Sequence, residues 1–67
     1  MVEVGKKYRH YKTKGIYEVL AIAKHTETEE DLVIYQNLAT KEVWARPKAM
    51  FEEVFSDGIT RFEEIKG

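Results

Sequence analysis

Short runs of β-branched and aromatic residues, each closed by polar turn residues, recur along the whole chain. Such runs have the length of strands and are too short for most helices. Tight polar connections between them, such as residues 12–15, are typical of hairpins. The sequence therefore predicts a mainly β fold of about five antiparallel strands. The predicted strands are residues 8–11, 16–25, 32–38, 43–46 and 60–64.

The second predicted strand carries apolar side chains on both of its faces. Alternation puts Leu20 and Ile22 on one face, and Val19 and Ala21 on the other. A strand whose centre is buried on both sides fits a curled sheet better than a flat one. We therefore expect a small SH3-type barrel or roll that is closed by the last strand.

Pro47 separates the fourth predicted strand from the segment that follows it. Proline has no N–H to donate to a strand ladder, and it is well suited to the start of a helix. Residues 48–53 have a composition that is compatible with a helix. One short helical turn is therefore expected directly after Pro47.

Chain length and composition exclude several classes of protein. A chain of 67 residues supports one domain, residues 1–67, and the lack of cysteine excludes disulfide frameworks, thiolate zinc sites and thiol nucleophiles. The four glycines are isolated, so no phosphate-binding loop is present. The N-terminus lacks the features of a signal peptide, and the longest apolar stretch, residues 19–23, is too short to span a bilayer. We expect a cytoplasmic protein without a cofactor and without membrane association.

The charge of the chain is nearly balanced but unevenly distributed. Eleven Lys and Arg oppose twelve Asp and Glu, and this net charge of −1 disfavours non-specific binding to nucleic acid. Residues 1–26 contain six basic and two acidic residues, a net of +4. A local basic patch is therefore still compatible with the sequence.

Aromatic and cationic residues on two predicted strands are candidates for ligand binding. Tyr8 and His10 share one face of the first strand. In proteins that bind nucleic acid, aromatic rings on such a face stack on bases and cationic side chains contact phosphates. Trp44 and Arg46 share one face of the fourth strand, and a guanidinium can bind a carboxylate or phosphate with two hydrogen bonds. The alternatives are structural. In those, the tyrosine rings cover the core, and Arg46 lies over the indole or pairs with a structural carboxylate.

His25, Glu27 and Glu29 recur at a spacing of two, which on an extended chain points one imidazole and two carboxylates to the same side. Such a group suits a hard metal ion or proton transfer. A polar segment such as 26–31 is more often a solvated turn, and a metal site generally needs ligands from elsewhere in the fold. We expect no metal site here.

Several segments of the chain together form a pattern that covers almost the whole sequence. They are Tyr8-Arg9-His10-Tyr11-Lys12, Gly15-Ile16-Tyr17-Glu18-Val19, Ala23-Lys24-His25-Thr26-Glu27-Thr28, Val33-Ile34-Tyr35-Gln36, Trp44-Ala45-Arg46-Pro47, Met50-Phe51 and Arg61-Phe62. This pattern resembles the DUF1653 domain, a bacterial family of unknown function. Two departures are minor: Thr26 stands where serine is commoner, and Thr13 and Lys14 are additional residues in the first turn. The resemblance implies a fold similar to SH3-type barrels and no established activity.

The resemblance also directs attention to polar residues that packing alone does not explain. The residues that match the family pattern are His10, His25, Thr26, Glu27, Tyr35, Trp44 and Arg46. We hypothesise that several of them converge at one end of the barrel. In that arrangement the His25 end of the second strand lies beside Trp44 and Arg46, with His10 and Tyr35 between them.

These residues lead to three hypotheses about function. The first is a non-catalytic binding module for an anionic or planar ligand, a peptide or a nucleic-acid element. Its candidate binding residues are Tyr8, His10, His25, Thr26, Glu27, Tyr35, Trp44 and Arg46. The second is a small enzyme in which His25 and Glu27 act as acid and base beside Arg46 as an anion clamp. The third is an accessory domain that forms a homodimer through an open sheet edge.

Overall fold

The computed structural model of the chain describes residues 2–55 and 57–65. It confirms the predicted fold class, because five antiparallel strands and one helical turn directly after Pro47 are present. None of the helical segments among these residues is long and apolar enough to span a membrane. The elements are β1 (Lys7–His10), β2 (Ile16–Lys24), β3 (Asp31–Asn37), β4 (Val43–Pro47), α1 (Lys48–Phe51) and β5 (Phe62–Glu64).

The five strands form one sheet in the order β4-β3-β2-β1-β5. Among the described residues β4 and β5 are the two edges and do not pair with each other, so the expected closure by the last strand is wrong. The fold is an open roll rather than a barrel. β5 is also shorter than predicted, because Thr60 forms a separate bridge with Val54 instead of continuing the strand.

The core lies on one face of the sheet and is covered by α1. Val19 of β2 and Val33 of β3 are fully buried, and Phe51 is 1% exposed. The Phe51 ring stacks on Phe62 of β5, with the ring centroids 4.1 Å apart and the planes 5° from parallel. The helical turn therefore carries the aromatic residue that covers the inner face of the sheet.

A β-bulge changes the alternation in β2. The register shifts between Val19 and Ala21, so that Ile22 lies opposite Val33 and shares the face of Val19. A bulge inserts one extra residue, and side chains beyond it change faces. The predicted alternation is therefore wrong beyond Val19. The expected burial of both faces is also wrong, because Leu20 is 40% exposed and Ile22 is 38% exposed.

The composition of Ser56-Asp57-Gly58 predicts a turn after α1. Ser56 lies outside the described residues, while the Asp57 carboxylate accepts a hydrogen bond from the Ile59 N–H (3.2 Å) and Gly58 has a φ of 85°. The apolar ring of Phe55 predicts a core position, but the residue is only half-buried. Its ring contacts Tyr11, with the centroids 4.9 Å apart, so it belongs to a separate cluster at the side of the sheet.

Candidate ligand-binding cavity

A cavity of about 210 Å³ is lined by side chains from all five strands and from the first hairpin turn. Its lining reaches from one sheet edge, β4, to the other, β5, so it occupies the opening of the roll. Strand alternation and register bring these side chains to the inner face, because Tyr35 lies directly opposite Trp44, and His10 opposite Phe62. The lining residues are His10, Thr13, Tyr17, Tyr35, Trp44, Arg46 and Phe62.

Among the described residues, Arg46 is the only permanently charged one in this lining. Its Nε donates a hydrogen bond to the Tyr35 hydroxyl (3.3 Å), and its guanidinium carbon lies 6.0 Å from the centre of the Phe62 ring. Among residues 2–55 and 57–65, no acidic side chain forms an ion pair with it. The guanidinium is therefore half-buried against aromatic rings, without the structural carboxylate that we considered for it and with Phe62, not Trp44, as its cation–π partner.

Aromatic rings form the walls of the cavity. Tyr17, Tyr35 and Phe62 contact one another edge to face, with centroids 5.3 to 5.7 Å apart. Trp44 is 50% exposed and lies at the rim. Because the Tyr35 oxygen accepts from Arg46, its own O–H remains able to donate. The walls therefore suit a flat ring, and they present hydrogen-bond donors beside it.

His10 connects the cavity to the first hairpin turn. Its Nδ1 accepts hydrogen bonds from the N–H groups of Lys12 (3.2 Å) and Thr13 (3.4 Å), so the neutral ring carries its proton on Nε2. Burial lowers the pKa of His10, and the positive charges of Arg46, Arg61 and Lys12 lower it further. His10 is therefore a neutral donor in a region of positive potential.

The part of the lining that the structure describes contains no acidic side chain. Thr13 and Tyr17 contribute hydroxyls, His10 a ring N–H, and Arg46 its guanidinium N–H groups. A set of donors without a carboxylate attracts anions, and the flat walls add ring-stacking surface. The arrangement can therefore hold an anionic group that is attached to a planar one.

The other histidine candidate, His25, caps a different turn and does not line the cavity. His25 follows β2, and its Nδ1 accepts hydrogen bonds from the N–H groups of Glu27 (3.1 Å) and Thr28 (3.3 Å). Asn37 is the last residue of β3, and its Oδ1 accepts hydrogen bonds from the N–H groups of Ala39 (2.8 Å) and Thr40 (3.1 Å). His10, His25 and Asn37 thus cap three hairpin turns in the same way.

The three turns share two further features. A threonine three residues after each cap, Thr13, Thr28 or Thr40, accepts a hydrogen bond of 3.3 Å from the N–H two residues later. The residue after each threonine has a positive φ, at 63°, 62° and 68°. In the sequence this pattern is a capping residue, two further residues, a threonine and then the residue with positive φ. It is visible in the sequence alone, but we did not use it to predict the turns. It explains Thr13 and Lys14, which complete the first turn.

The structure separates the remaining candidates from the cavity. His25, Thr26 and Glu27 lie in the β2–β3 turn and are not part of the lining. The His25 ring is 3.9 Å from the Glu27 carboxylate, and Thr26 donates a hydrogen bond to that carboxylate. Among the described residues no three His, Asp or Glu side chains come together as a metal site, so the grouping of His25 with two carboxylates is not formed.

Tyr8 is part of the core rather than the cavity lining. It is 5% exposed, and its ring meets Phe51 edge to face, with the centroids 5.3 Å apart. Its hydroxyl accepts a hydrogen bond from the Glu3 N–H (3.3 Å), and burial raises the pKa of this hydroxyl. Of the predicted binding residues, the structure therefore brings together four: His10, Tyr35, Trp44 and Arg46.

Comparison with known proteins identifies the family of this chain. A family model described as "Protein of unknown function (DUF1653)" matches residues 6–64. The chain belongs to the DUF1653 family. No curated protein and no solved structure matches it. The resemblance noted in the sequence is therefore confirmed, and the match carries no activity with it.

Replacing His25 of this DUF1653 domain tests its role as a turn cap. We expect His25→Ala to lower the free energy of unfolding by about 1 kcal/mol, because two backbone N–H groups lose their acceptor. His25→Asn should cost little, since Asn37 caps the equivalent turn with its side-chain oxygen. Urea denaturation measures both. Equal losses for alanine and asparagine would contradict the capping role.

Acidification should destabilise the DUF1653 domain through His10. The pKa of His10 is lower in the folded chain than the ordinary value of about 6.5, so below about pH 6.5 the unfolded chain binds more protons. The stability that comes from neutral His10 is fully present above that pH. It is lost as the pH falls through the pKa of His10 in the folded chain. Urea denaturation at pH 7 and pH 5 should show lower stability at pH 5, with a smaller difference in His10→Asn. Stability that is unchanged or higher at pH 5 is the opposing result.

Proposed function

We propose that this DUF1653 domain is a non-catalytic binding module, and that its cavity takes an anionic group attached to a flat apolar one. One observation carries the proposal. The Arg46 guanidinium is half-buried between aromatic rings, and among the described residues it has no acidic partner. A charge held in this way gains most from a ligand that supplies the missing anion.

The size of the cavity limits the ligand. Pockets for drug-sized ligands typically span roughly 300–1,000 Å³, and this one is smaller at about 210 Å³. A single ring with a carboxylate or phosphate group is compatible with this volume. A larger ligand would bind through one such group and leave the rest outside.

The composition of the lining favours binding over catalysis. The enzymatic alternative requires His25 and Glu27 beside Arg46. The described lining contains Arg46 but neither His25 nor Glu27. The imidazole that is present, His10, uses Nδ1 to cap the first turn. His10 therefore offers a ligand one fixed hydrogen-bond donor, Nε2–H. It is not placed to accept and release a proton in a reaction.

Titration monitored by tryptophan fluorescence tests the proposal. Trp44 is the only tryptophan of the chain and lies at the rim of the cavity, so its emission reports on occupancy. Benzoate and phenyl phosphate should change the emission with dissociation constants of about 1 mM, the range for ligands of this size. Benzamide has the same ring without the charge and serves as the control. An equal response to benzamide, or no response to either anion, would refute the proposal.

A further inference from the structure

The strand that carries Trp44 and Arg46 has a free edge beside the cavity. Within residues 2–55 and 57–65, β4 pairs with β3 alone and forms one edge of the sheet. Val43 is 54% exposed, Trp44 is 50% exposed, and Ala45 is exposed as well. An exposed edge presents backbone N–H and C=O groups that can pair with another strand.

Two residues of this edge, Val43 and Ala45, have backbone groups that point away from β3. Antiparallel pairs alternate between hydrogen-bonded and non-hydrogen-bonded positions. The Asn37 N–H donates to the Glu42 carbonyl (2.9 Å), so the positions whose backbone faces β3 are Glu42 and every second residue after it. The N–H and C=O groups of Val43 and Ala45 are therefore available to another strand.

Two charges without an ion-pair partner lie on the same face of this edge. Alternation places Glu42, Trp44 and Arg46 on one face, with Trp44 midway between the carboxylate and the guanidinium. Within the described ranges, neither Glu42 nor Arg46 forms an ion pair. The Glu42 side chain is exposed, and its carboxylate accepts a hydrogen bond from the Thr40 hydroxyl (3.4 Å). Both charges are therefore open to a partner at this edge.

A second copy of the chain is complementary to this arrangement. When two β4 strands pair antiparallel about a two-fold axis at Trp44, Glu42 of each copy lies opposite Arg46 of the other. Val43 of each copy then lies opposite Ala45 of the other, and each such pair exchanges two backbone hydrogen bonds. One copy therefore satisfies both the charges and the outward backbone groups of the other.

We infer that two copies of this chain form a symmetric homodimer through β4, centred on Trp44, with reciprocal ion pairs between Arg46 and Glu42. The sheet of one copy continues into the sheet of the other across the two-fold axis. The two Trp44 side chains lie beside each other on the cavity side, and a cross-strand aromatic pair stabilises such an edge further.

A foreign peptide matches this edge less completely than a second copy does. A peptide with one acidic residue would pair with Arg46 but leave Glu42 without a cation. A peptide that satisfied both charges would need an acidic and a basic residue at the spacing that residues 42 and 46 already have. The second copy is therefore the occupant that the charges of the edge favour.

The other symmetric register of this edge is less favourable. Pairing about Ala45 would put Pro47 of one copy opposite Val43 of the other. Proline has no N–H, so the Val43 carbonyl would gain no donor there. That register would also put Arg46 opposite Trp44 instead of opposite a carboxylate.

The homodimer goes beyond the proposed function and competes with it. Glu42 of the second copy approaches the same Arg46 guanidinium that we propose for an anionic ligand. The monomer is then the form that takes the ligand, and each of the two binding events weakens the other. A saturating concentration of phenyl phosphate should therefore shift the dimer toward the monomer.

Exchange of the two charges between copies tests the inference. Arg46→Glu sets two carboxylates opposite each other, and Glu42→Arg sets two guanidinium groups opposite each other. Each variant alone should dimerise at least about tenfold more weakly than the unmodified protein. An equimolar mixture of the two restores both ion pairs, and its association should return to that of the unmodified protein. Sedimentation equilibrium measures each dissociation constant, and circular dichroism checks that the variants fold.

Glu29→Arg is the matched control, because it makes the same change in net charge in the exposed β2–β3 turn. It should dimerise as the unmodified protein does, and mixing it with Arg46→Glu should bring no recovery. Equal recovery in both mixtures would overturn the inference, because overall charge would then explain the association. If Arg46→Glu does not fold, Glu42→Arg alone decides: a dimer as stable as that of Glu29→Arg overturns the inference.

Benzoate titration at low protein concentration separates the two proposals. An interface of this small size should have a dissociation constant of roughly 0.1 mM, so at about 10 μM the protein is mostly monomeric. Benzoate binding by a protein that stays monomeric up to about 1 mM refutes the homodimer and leaves the anion cavity standing. Charge-dependent dimerisation without benzoate binding refutes the cavity proposal alone. A dimer that ignores both charge changes uses another register or surface, and it overturns the inference.

Discussion

Arg46→Gln is expected to weaken the binding of benzoate and phenyl phosphate by roughly ten- to hundredfold. A hydrogen bond to a charged group contributes about 1.5–3 kcal/mol, and about 1.4 kcal/mol corresponds to a factor of ten. Arg46 is the one permanent cation among the described residues of the lining, and glutamine removes this charge while keeping a polar side chain. Trp44 fluorescence gives the dissociation constants of both proteins.

Arg9→Gln is the matched control for this substitution. It makes the same change in net charge, but Arg9 is on β1 outside the cavity lining, where its guanidinium is 4.0 Å from the Glu63 carboxylate. We expect its affinities to stay within about twofold of the unmodified protein. Circular dichroism should show that both variants fold, since Arg46 makes one side-chain hydrogen bond, to Tyr35. Equal losses in the two variants would mean that overall charge, and not the cavity, attracts the anion.

Phe51→Ala is expected to unfold most of the protein at room temperature. Truncating a fully buried phenylalanine costs about 3–5 kcal/mol. A single core in a chain of this length supplies roughly that much in total. Phe51 is 1% exposed, stacks on Phe62 and meets Tyr8 and Tyr35 edge to face, so the cavity left behind has no side chain to fill it. Circular dichroism and urea denaturation measure the loss.

Phe55→Ala is the control for loss of an aromatic ring. Phe55 is half-buried against Tyr11 at the side of the sheet, so its truncation should cost about 1–2 kcal/mol and leave a cooperative unfolding transition. If Phe51→Ala is as stable as Phe55→Ala, the helical turn does not cover the core in the way described.

Local patterns predicted the strands and the helical turn but not the details of β2. Alternating apolar residues locate a strand, and Pro47 marks the start of α1. The bulge between Val19 and Ala21 leaves no mark in apolar alternation, because both faces of that stretch carry apolar residues. Local patterns also could not predict whether the sheet closes, because closure depends on the combined twist of all five strands.

The cavity was only partly predictable for a similar reason. Spacing of two indicated that Trp44 and Arg46 share a face, and the family resemblance singled out His10 and Tyr35. Thr13, Tyr17 and Phe62 complete the lining, and they were missed because register between distant strands is not visible in one sequence. Only Tyr17 could have been predicted, because it lies two residues before the buried Val19 and so on the same face of β2.

The histidines show how one residue type serves two purposes. Both His10 and His25 cap hairpin turns through Nδ1, as Asn37 does through its amide oxygen. Only His10 also lines the cavity, because its turn follows β1, which pairs with β5. The histidine therefore marks a turn at His25, and at His10 it marks a turn whose cap also lines the cavity.

Titration with phenyl phosphate, followed by nuclear magnetic resonance of the labelled side chains, tests the anion cavity most directly. The signals to follow are Arg46 Nε–H, the Trp44 indole N–H, and the rings of His10 and His25. We predict saturable shifts at Arg46, Trp44 and His10, with no change at His25. Shifts at His25 with Arg46 and Trp44 unchanged, or no shifts at all, would contradict the account.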